Sequence, residues 1–186
     1  MALIRILHIL HTMNRGGTEN AIMNYYRHID RDKVQFDFLL TDPEKCAFED
    51  EIIELGGMVN RIPKLTMTNP IPYIKGVNNF FKAHPEYQIV HSHTSSKSVF
   101  PLYIAKKHNI PVRICHSHSS KSENGVKGAI RDILKIGLKH VATHYFACGD
   151  KAAEWLYGKQ FVQKQTITII RNVIEGHKFA LNINKR

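Results

Sequence analysis

The chain has 186 residues, 43% of them apolar and 23% charged, with 26 Lys and Arg against 16 Asp and Glu. That composition excludes a disordered, fibrous or low-complexity chain and leaves enough apolar material for a core without disulfides. The net charge of +10 favours anionic partners such as phosphates, nucleic acid or an anionic membrane face, and no apolar run approaches the roughly 18 residues of a membrane span.

In chain order, residues 4–10 form an apolar strand broken by Arg5 and His8. No small-residue cleavage site follows, so this start reads as a buried strand and not a signal peptide. Residues 18–28 are helical, with Ala21, Ile22, Tyr25 and Ile29 at three- and four-residue spacing. A strand at 36–40, a short helix at 48–55 stopped by Gly56 and Gly57, and a strand at 58–62 follow. A helix opens at Asn69-Pro70-Ile71-Pro72 and runs to about His84 before Pro85. Beyond it lie strands at 88–92 and 112–116 around a helix at 97–108, a long helix at 126–143, a strand at 144–148, a helix at 150–157 and a strand at 166–170. Such alternation predicts an α/β fold: a Rossmann-like parallel sheet of about seven strands with helices on both faces. Residues 1–173 read as one domain and 174–186 as a truncated interdomain linker.

Ligands of open α/β sheets bind at the carboxyl ends of the strands. The segments there are dense in polar and basic residues: Asn14, Arg15, Gly16, Gly17 and Thr18 after the first strand, His93, Ser95 and Lys97 after the fourth, His116 and His118 with Ser119, Ser120 and Lys121 after the fifth. Gly16 and Gly17 precede a helix, where glycine permits close backbone approach to a phosphate; the same pair also suits a plain tight turn before a helix capped by Thr18. Neither a P-loop nor GxGxxG is present, which disfavours a nicotinamide enzyme.

His91-x-His93 and His116-x-His118 each place two imidazoles on one side of an extended segment. Four imidazoles have the makeup of a zinc site, but no Cys or carboxylate accompanies them, and no metal is expected. Packed histidines and contacts to a sugar or phosphate are the other readings. Lys127, Arg131, Lys135 and Lys139 form a slowly drifting basic stripe on the long helix. It is either a solvated face or a surface for anionic lipid. Nucleic acid is not expected, since no recognised binding motif or aromatic platform is present. Cys46, Cys115 and Cys148 form no CxxC and, with no secretory signal, fit a reducing cytoplasm. A Cys115–His116 nucleophile is disfavoured because strand neighbours point to opposite faces.

Several runs, in order, resemble bacterial exopolysaccharide and capsule glycosyltransferases of glycosyltransferase family 4, which have the GT-B fold. They include Met13-Asn14-Arg15-Gly16-Gly17-Thr18-Glu19, Ile89-Val90-His91-Ser92-His93, Pro111-Val112-Arg113-Ile114-Cys115-His116-Ser117-His118-Ser119 and Ile169-Ile170-Arg171-Asn172-Val173-Ile174. The resemblance implies the N-terminal, acceptor-binding half of a retaining hexosyltransferase. Such an enzyme moves a sugar from a nucleotide-sugar co-substrate to a glycan or lipid-linked acceptor, without metal or other cofactor. It places Gly16, Gly17 and Thr18 in the loop approaching the donor diphosphate, with Glu19 fixing that loop. His118, or in a competing alignment His116, contacts the donor sugar and is the implied catalytic histidine. Asn14, Arg15, His93, Ser95 and Lys97 fall in the acceptor cleft. Asn172 matches an Asn before the interdomain linker, although Asn-Val-Ile here replaces the usual Asn-Gly-Val/Ile-Asp. The family's C-terminal donor domain is absent from these residues, so the chain alone is expected to be inactive. Cytoplasmic residence, with peripheral attachment at the inner membrane face, is implied too. The alternative is a stand-alone membrane- or glycan-binding module without catalysis.

Overall fold

The structure, a computed structural model, describes residues 3–66, 68–118 and 126–171, with backbone only at 126 and 127. Seven strands alternate with helices: β1 (Ile4–Leu10), α1 (Gly17–His28), β2 (Val34–Leu40), α2 (Glu49–Glu54), β3 (Val59–Arg61), α3 (Ile71–Ala83) and β4 (Ile89–Ser92). A 3-10 turn at Ser95–Ser98 leads into α4 (Val99–Lys107), β5 (Val112–Ser117), α5 (Val126–Val141), β6 (His144–Ala147), α6 (Asp150–Tyr157), α7 (Lys159–Lys164) and β7 (Ile167–Ile169). Sequence periodicity places every strand and all of these helices except α7, which begins directly after Gly158 at φ +83. Asn172 and the segment 174–186 lie outside the described residues, as do Ser119, Ser120 and Lys121.

All seven strands are parallel, in the order β3-β2-β1-β4-β5-β6-β7. The order reverses between β1 and β4, and the helices before and after that point pack on opposite faces. On one face Leu7, Ile9, Val90, Cys115 and Ala147 meet side chains of α3, α4, α5 and α6. On the other, Phe36, Phe38 and Leu40 meet Ile22, Met23 and Tyr26 of α1 and Ile52 of α2. Strands buried on both faces read as continuous apolar runs, as β1 and β2 do.

The two polar breaks in β1 have separate causes. Arg5 donates from Nε and Nη2 to the Asp37 carboxylate of β2, at 2.6 and 2.7 Å. Asp37 is fully buried and also accepts from the Tyr87 hydroxyl and the Met58 amide. All four contacts converge on one carboxylate, which meets the condition for burying a charge. His8 belongs to the cluster described below. The Tyr157 hydroxyl of α6 reaches the Cys115 carbonyl of β5 at 2.6 Å and the Phe146 carbonyl of β6 at 2.9 Å, stitching α6 to both strands. Gly56 has φ +91 and ends the α2 segment, and Gly57 lies so close to Phe36 O and Tyr26 Oη that a Cβ would collide with both.

Candidate functional site

Two cavities meet at His93, which lines both. The first, about 370 Å³, opens at the carboxyl ends of β1 and β4, next to the reversal of strand order. Thr18 of α1, His93, Ser95 and Lys97 line it together with His11, Thr41 and Lys64. With Glu19, which also lines it, five of the residues singled out in the sequence share one wall. Lys64, from the segment between β3 and α3, is an addition that no local pattern marks. Its contribution depends on β3 pairing with β2, a relationship set far along the chain.

Gly16 is the residue preceding α1, in extended conformation, and no side chain caps the helix. Thr18 is therefore not the cap; it lies one residue inside α1. The unpaired N–H groups of the first helical turn are left for water or a ligand. A Cβ on Gly17 would meet nothing within 4 Å, whereas one on Gly16 would strike the Glu19 carboxylate, which folds back over it. Asn14 is spent locally: it donates from Nδ2 to Thr12 and accepts the Ala47 amide at 2.8 Å. Arg15 is exposed and lines neither cavity. Ser95 sits at φ 52, a left-handed conformation sparsely populated by residues other than glycine. The loop around it is held by a knot of hydroxyls in which Ser92, Thr94 and Ser98 lie 2.9 to 3.2 Å apart.

The second cavity, about 360 Å³, lies on the α1 face between α1 and strands β4, β5 and β6. Its walls are mostly apolar, including Ile22, Ile89, Ile114 and Phe146, but five histidines stand among them. Two-residue alternation brings His91, His93, His116 and His118 to this face, as their spacing predicts. Register adds His8, the direct partner of His91 across β1 and β4. His8 Nδ1 lies 2.9 Å from His93 Nε2, His93 Nδ1 lies 2.8 Å from His118 Nε2, and His91 Nε2 lies 3.1 Å from His116 Nδ1. Among the described residues His8 Nε2, His116 Nε2 and His118 Nδ1 are buried with no partner.

Burial, with repulsion between the rings, holds these imidazoles neutral. His8 falls to about 3 through desolvation and His118, and His116 to about 2 for the same reasons plus His8. His118 falls to about 4 by desolvation, while His91 and His93 are pushed well below the ordinary histidine value. Cys115 faces away from the cluster, fully buried, its thiol raised to about 11. A Cys115–His116 nucleophile is therefore closed off by both orientation and protonation.

The basic stripe of α5 is not an open face. The Arg131 and Lys135 side chains are only 12% and 17% exposed and lie over the Trp155 ring of α6, and both approach Asp132. Lys139 stands over Phe161 of α7. The Lys127 side chain lies outside the described residues. The most exposed apolar positions of α5 are Ile133 and Ile136, 68% and 61% exposed, beside the exposed Asp132 and Lys139. Periodicity alone could not place the cations, because their partners arrive from α6 and α7.

A doubly wound α/β domain with a polar, basic cleft at its switch point belongs to the class of Rossmann-like ligand-binding domains. Comparison with known proteins sharpens that. Residues 15–176 match Glycosyltransferase Family 4, and the chain belongs to that family. It is 35% identical to Bacillus subtilis EpsF, named as a glycosyltransferase, across 96% of this chain and 47% of EpsF. It is 24% identical to the Staphylococcus aureus capsular polysaccharide biosynthesis glycosyltransferase CapH, across 98% of this chain and 50% of CapH. The chain thus spans about half the length of these relatives. Anabaena HepE, solved with UDP and glucose, superposes with a TM-score of 0.61 at 13% identity, over 92% of this chain and 45% of HepE. A Listeria monocytogenes protein named as a UDP-N-acetylglucosamine 2-epimerase gives 0.60 at 14%, over 86% and 43%. Acinetobacter baumannii MurG gives 0.57 at 10%, over 91% and 46%. The likeness to all three is one of fold, and the same half-molecule serves proteins of different names.

Proposed function

We propose that this chain forms the acceptor side of a retaining, hexosyltransferase-type glycosyltransferase acting in polysaccharide biosynthesis. It would work by sugar transfer from a nucleotide-sugar to a glycan or lipid-linked acceptor. The observation that carries this reading is the convergence of Thr18, His93, Ser95, Lys97 and Lys64 on one cavity beside the switch point, in a member of this family. Sugars are bound by hydroxyl and imidazole groups, and phosphates by ammonium groups and helix N-termini; the cavity wall carries all of these.

The chemistry divides by charge. The first turn of α1 after Gly16 and Gly17 offers N–H groups to a donor diphosphate, and Lys64 and Lys97 offer positive charge. His118 and His116 are held neutral, so at neutral pH each would serve a donor sugar as a hydrogen-bond partner and not as a cation or proton donor. Stabilising a departing nucleoside diphosphate needs charge on both sides of the leaving group. A second domain, facing this one across the cleft, would supply the remainder, and the 186 residues alone would not turn over. No helix among the described residues is long and apolar enough to cross a membrane. A lipid-linked acceptor would then be met by peripheral docking on the cytoplasmic face, with exposed Ile133 and Ile136 entering the headgroup region beside the basic charge of the chain.

The test is an amide NMR titration with UDP and, separately, with an acceptor-type oligosaccharide. UDP is expected to shift the Gly16, Gly17 and Thr18 amides, and the saccharide those of His93, Ser95 and Lys97, with no turnover of UDP-sugar. Shifts confined to other surfaces, or robust turnover by the chain alone, would reject the assignment.

A further inference from the structure

The five histidines do more than line a cavity. The candidate ligand atoms of His93, His116 and His118 all lie within 4.8 Å of one another, as do those of His8, His91 and His93. We propose that His93, His116 and His118 bind a single divalent transition-metal ion such as Zn2+, with His8 and His91 holding two of these ligands in place from behind. The inference does not rest on the glycosyltransferase reading, and its test requires no turnover; with the ion bound His116 has no nitrogen left for a donor sugar, so its sugar contact described above belongs to the metal-free chain.

The hydrogen-bond pattern sorts the nitrogens. His116 Nδ1 is engaged by His91 Nε2, which leaves His116 Nε2 for the ion; that is one of the buried atoms without a partner. His93 Nε2 is engaged by His8 Nδ1, which leaves His93 Nδ1, the atom that faces His118. His118 offers Nε2 beside it, and its own Nδ1 also lacks a partner. Metal-binding imidazoles characteristically donate the second ring N–H to a supporting group, and His91 and His8 occupy those supporting positions.

The three ligand atoms, all within 4.8 Å of one another, leave room for one ion among them. Zinc–nitrogen bonds of roughly 2.0–2.1 Å put tetrahedral ligand nitrogens about 3.4 Å apart. The 2.8 Å approach of His93 to His118 would open by roughly half an ångström as an ion replaced a shared proton. Three neutral imidazoles leave a fourth position for water or another ligand, and a three-histidine set without Cys or carboxylate is a known zinc environment. Sequence spacing shows four histidines in two separate pairs, without Cys or carboxylate, and predicts no metal. Register supplies the fifth, and supports two of the ligands.

The experiment uses the untagged 186-residue chain, stripped with chelator and dialysed against Zn2+ or Co2+. One equivalent is expected by elemental analysis, with visible Co2+ bands of a nitrogen-rich, low-coordinate site. His93→Ala and His118→Ala should each abolish stoichiometric binding, and His8→Phe should weaken it about 10–100-fold while keeping one equivalent. Less than a tenth of an equivalent in the unaltered chain, or full binding by the His93→Ala/His118→Ala double variant, would overturn the proposal. If circular dichroism shows the variants unfolded, imidazole 15N shifts of the unaltered chain decide. Zn2+ must move those of His93, His116 and His118, and unmoved resonances reject the site.

Discussion

His93 Nδ1 stands 2.8 Å from His118 Nε2, and the same ring's Nε2 stands 2.9 Å from His8 Nδ1. A neutral imidazole has one donor and one acceptor, so the three neutral rings can form a directional chain. Protonating any of them places a charge among buried rings, next to other imidazoles that disfavour it. The folded values lie far below the unfolded 6.5, at about 3 for His8, 2 for His116 and 4 for His118. Between pH 6.5 and 4 the unfolded chain therefore binds more protons than the folded one, and stability falls as pH drops through that window. Denaturant unfolding of chelator-treated protein should show the decline beginning near pH 6.5. His118→Gln should make it shallower. A midpoint flat from pH 7 to 5 would contradict the arrangement.

Asp37 presents a different buried charge. Removing it strips Arg5 of a two-point partner and leaves the Tyr87 hydroxyl and Met58 amide without an acceptor. Asp37→Ala should cost about 3 kcal/mol, near the low end for a broken buried pair because Arg5 is 26% exposed. That corresponds to roughly 6–12 °C in thermal midpoint for a domain of this size. A shift under 2 °C would show that the network contributes little.

Gly17 separates fold from ligand. Its Cβ would enter open space and its φ is not positive, so Gly17→Ala should leave stability unchanged or raise it by up to about 1 kcal/mol. If the loop approaches a diphosphate, the same methyl group should weaken the UDP response of the neighbouring amides several-fold. Loss of stability would mean that the glycine serves the turn; an unaltered UDP response would remove this loop from the donor site.

The outward face of α5 makes a third separation. Liposome co-sedimentation with anionic vesicles should be reduced at least tenfold by Ile133→Asp/Ile136→Asp, since both side chains are more than half exposed. Charge reversal at Arg131 and Lys135 should instead lower the thermal midpoint, because those side chains pack on Trp155. Binding insensitive to the isoleucine pair would rule out this face.

How far the sequence reaches is clear from the individual residues. Strand and helix positions follow from periodicity, and the alternation of His91 with His93 and of His116 with His118 correctly places each pair on one side. His8 escapes the same reasoning. It stands alone in an apolar run, and only the pairing of β1 with β4, some eighty residues apart, aligns it with His91. Lys64 escapes for a similar reason. The α5 cations stand out as a stripe in the sequence, but the ring beneath Arg131 and Lys135 lies twenty or more residues on, so local pattern does not show what they pack against. Local pattern specifies elements; long-range register and packing decide what their side chains meet.

Trp155 is the only tryptophan in the chain, and two cations, Arg131 and Lys135, stand over its ring. Its emission is therefore an optical gauge of one joint, the docking of α5 on α6. A ligand, lipid surface or solvent condition that lifts α5 would change the wavelength and intensity of that single signal without any label. The segment 119–125, which joins β5 to α5, connects the histidine-bearing strand to this same helix. Trp155 thus watches α5 from the face of the sheet opposite the histidines.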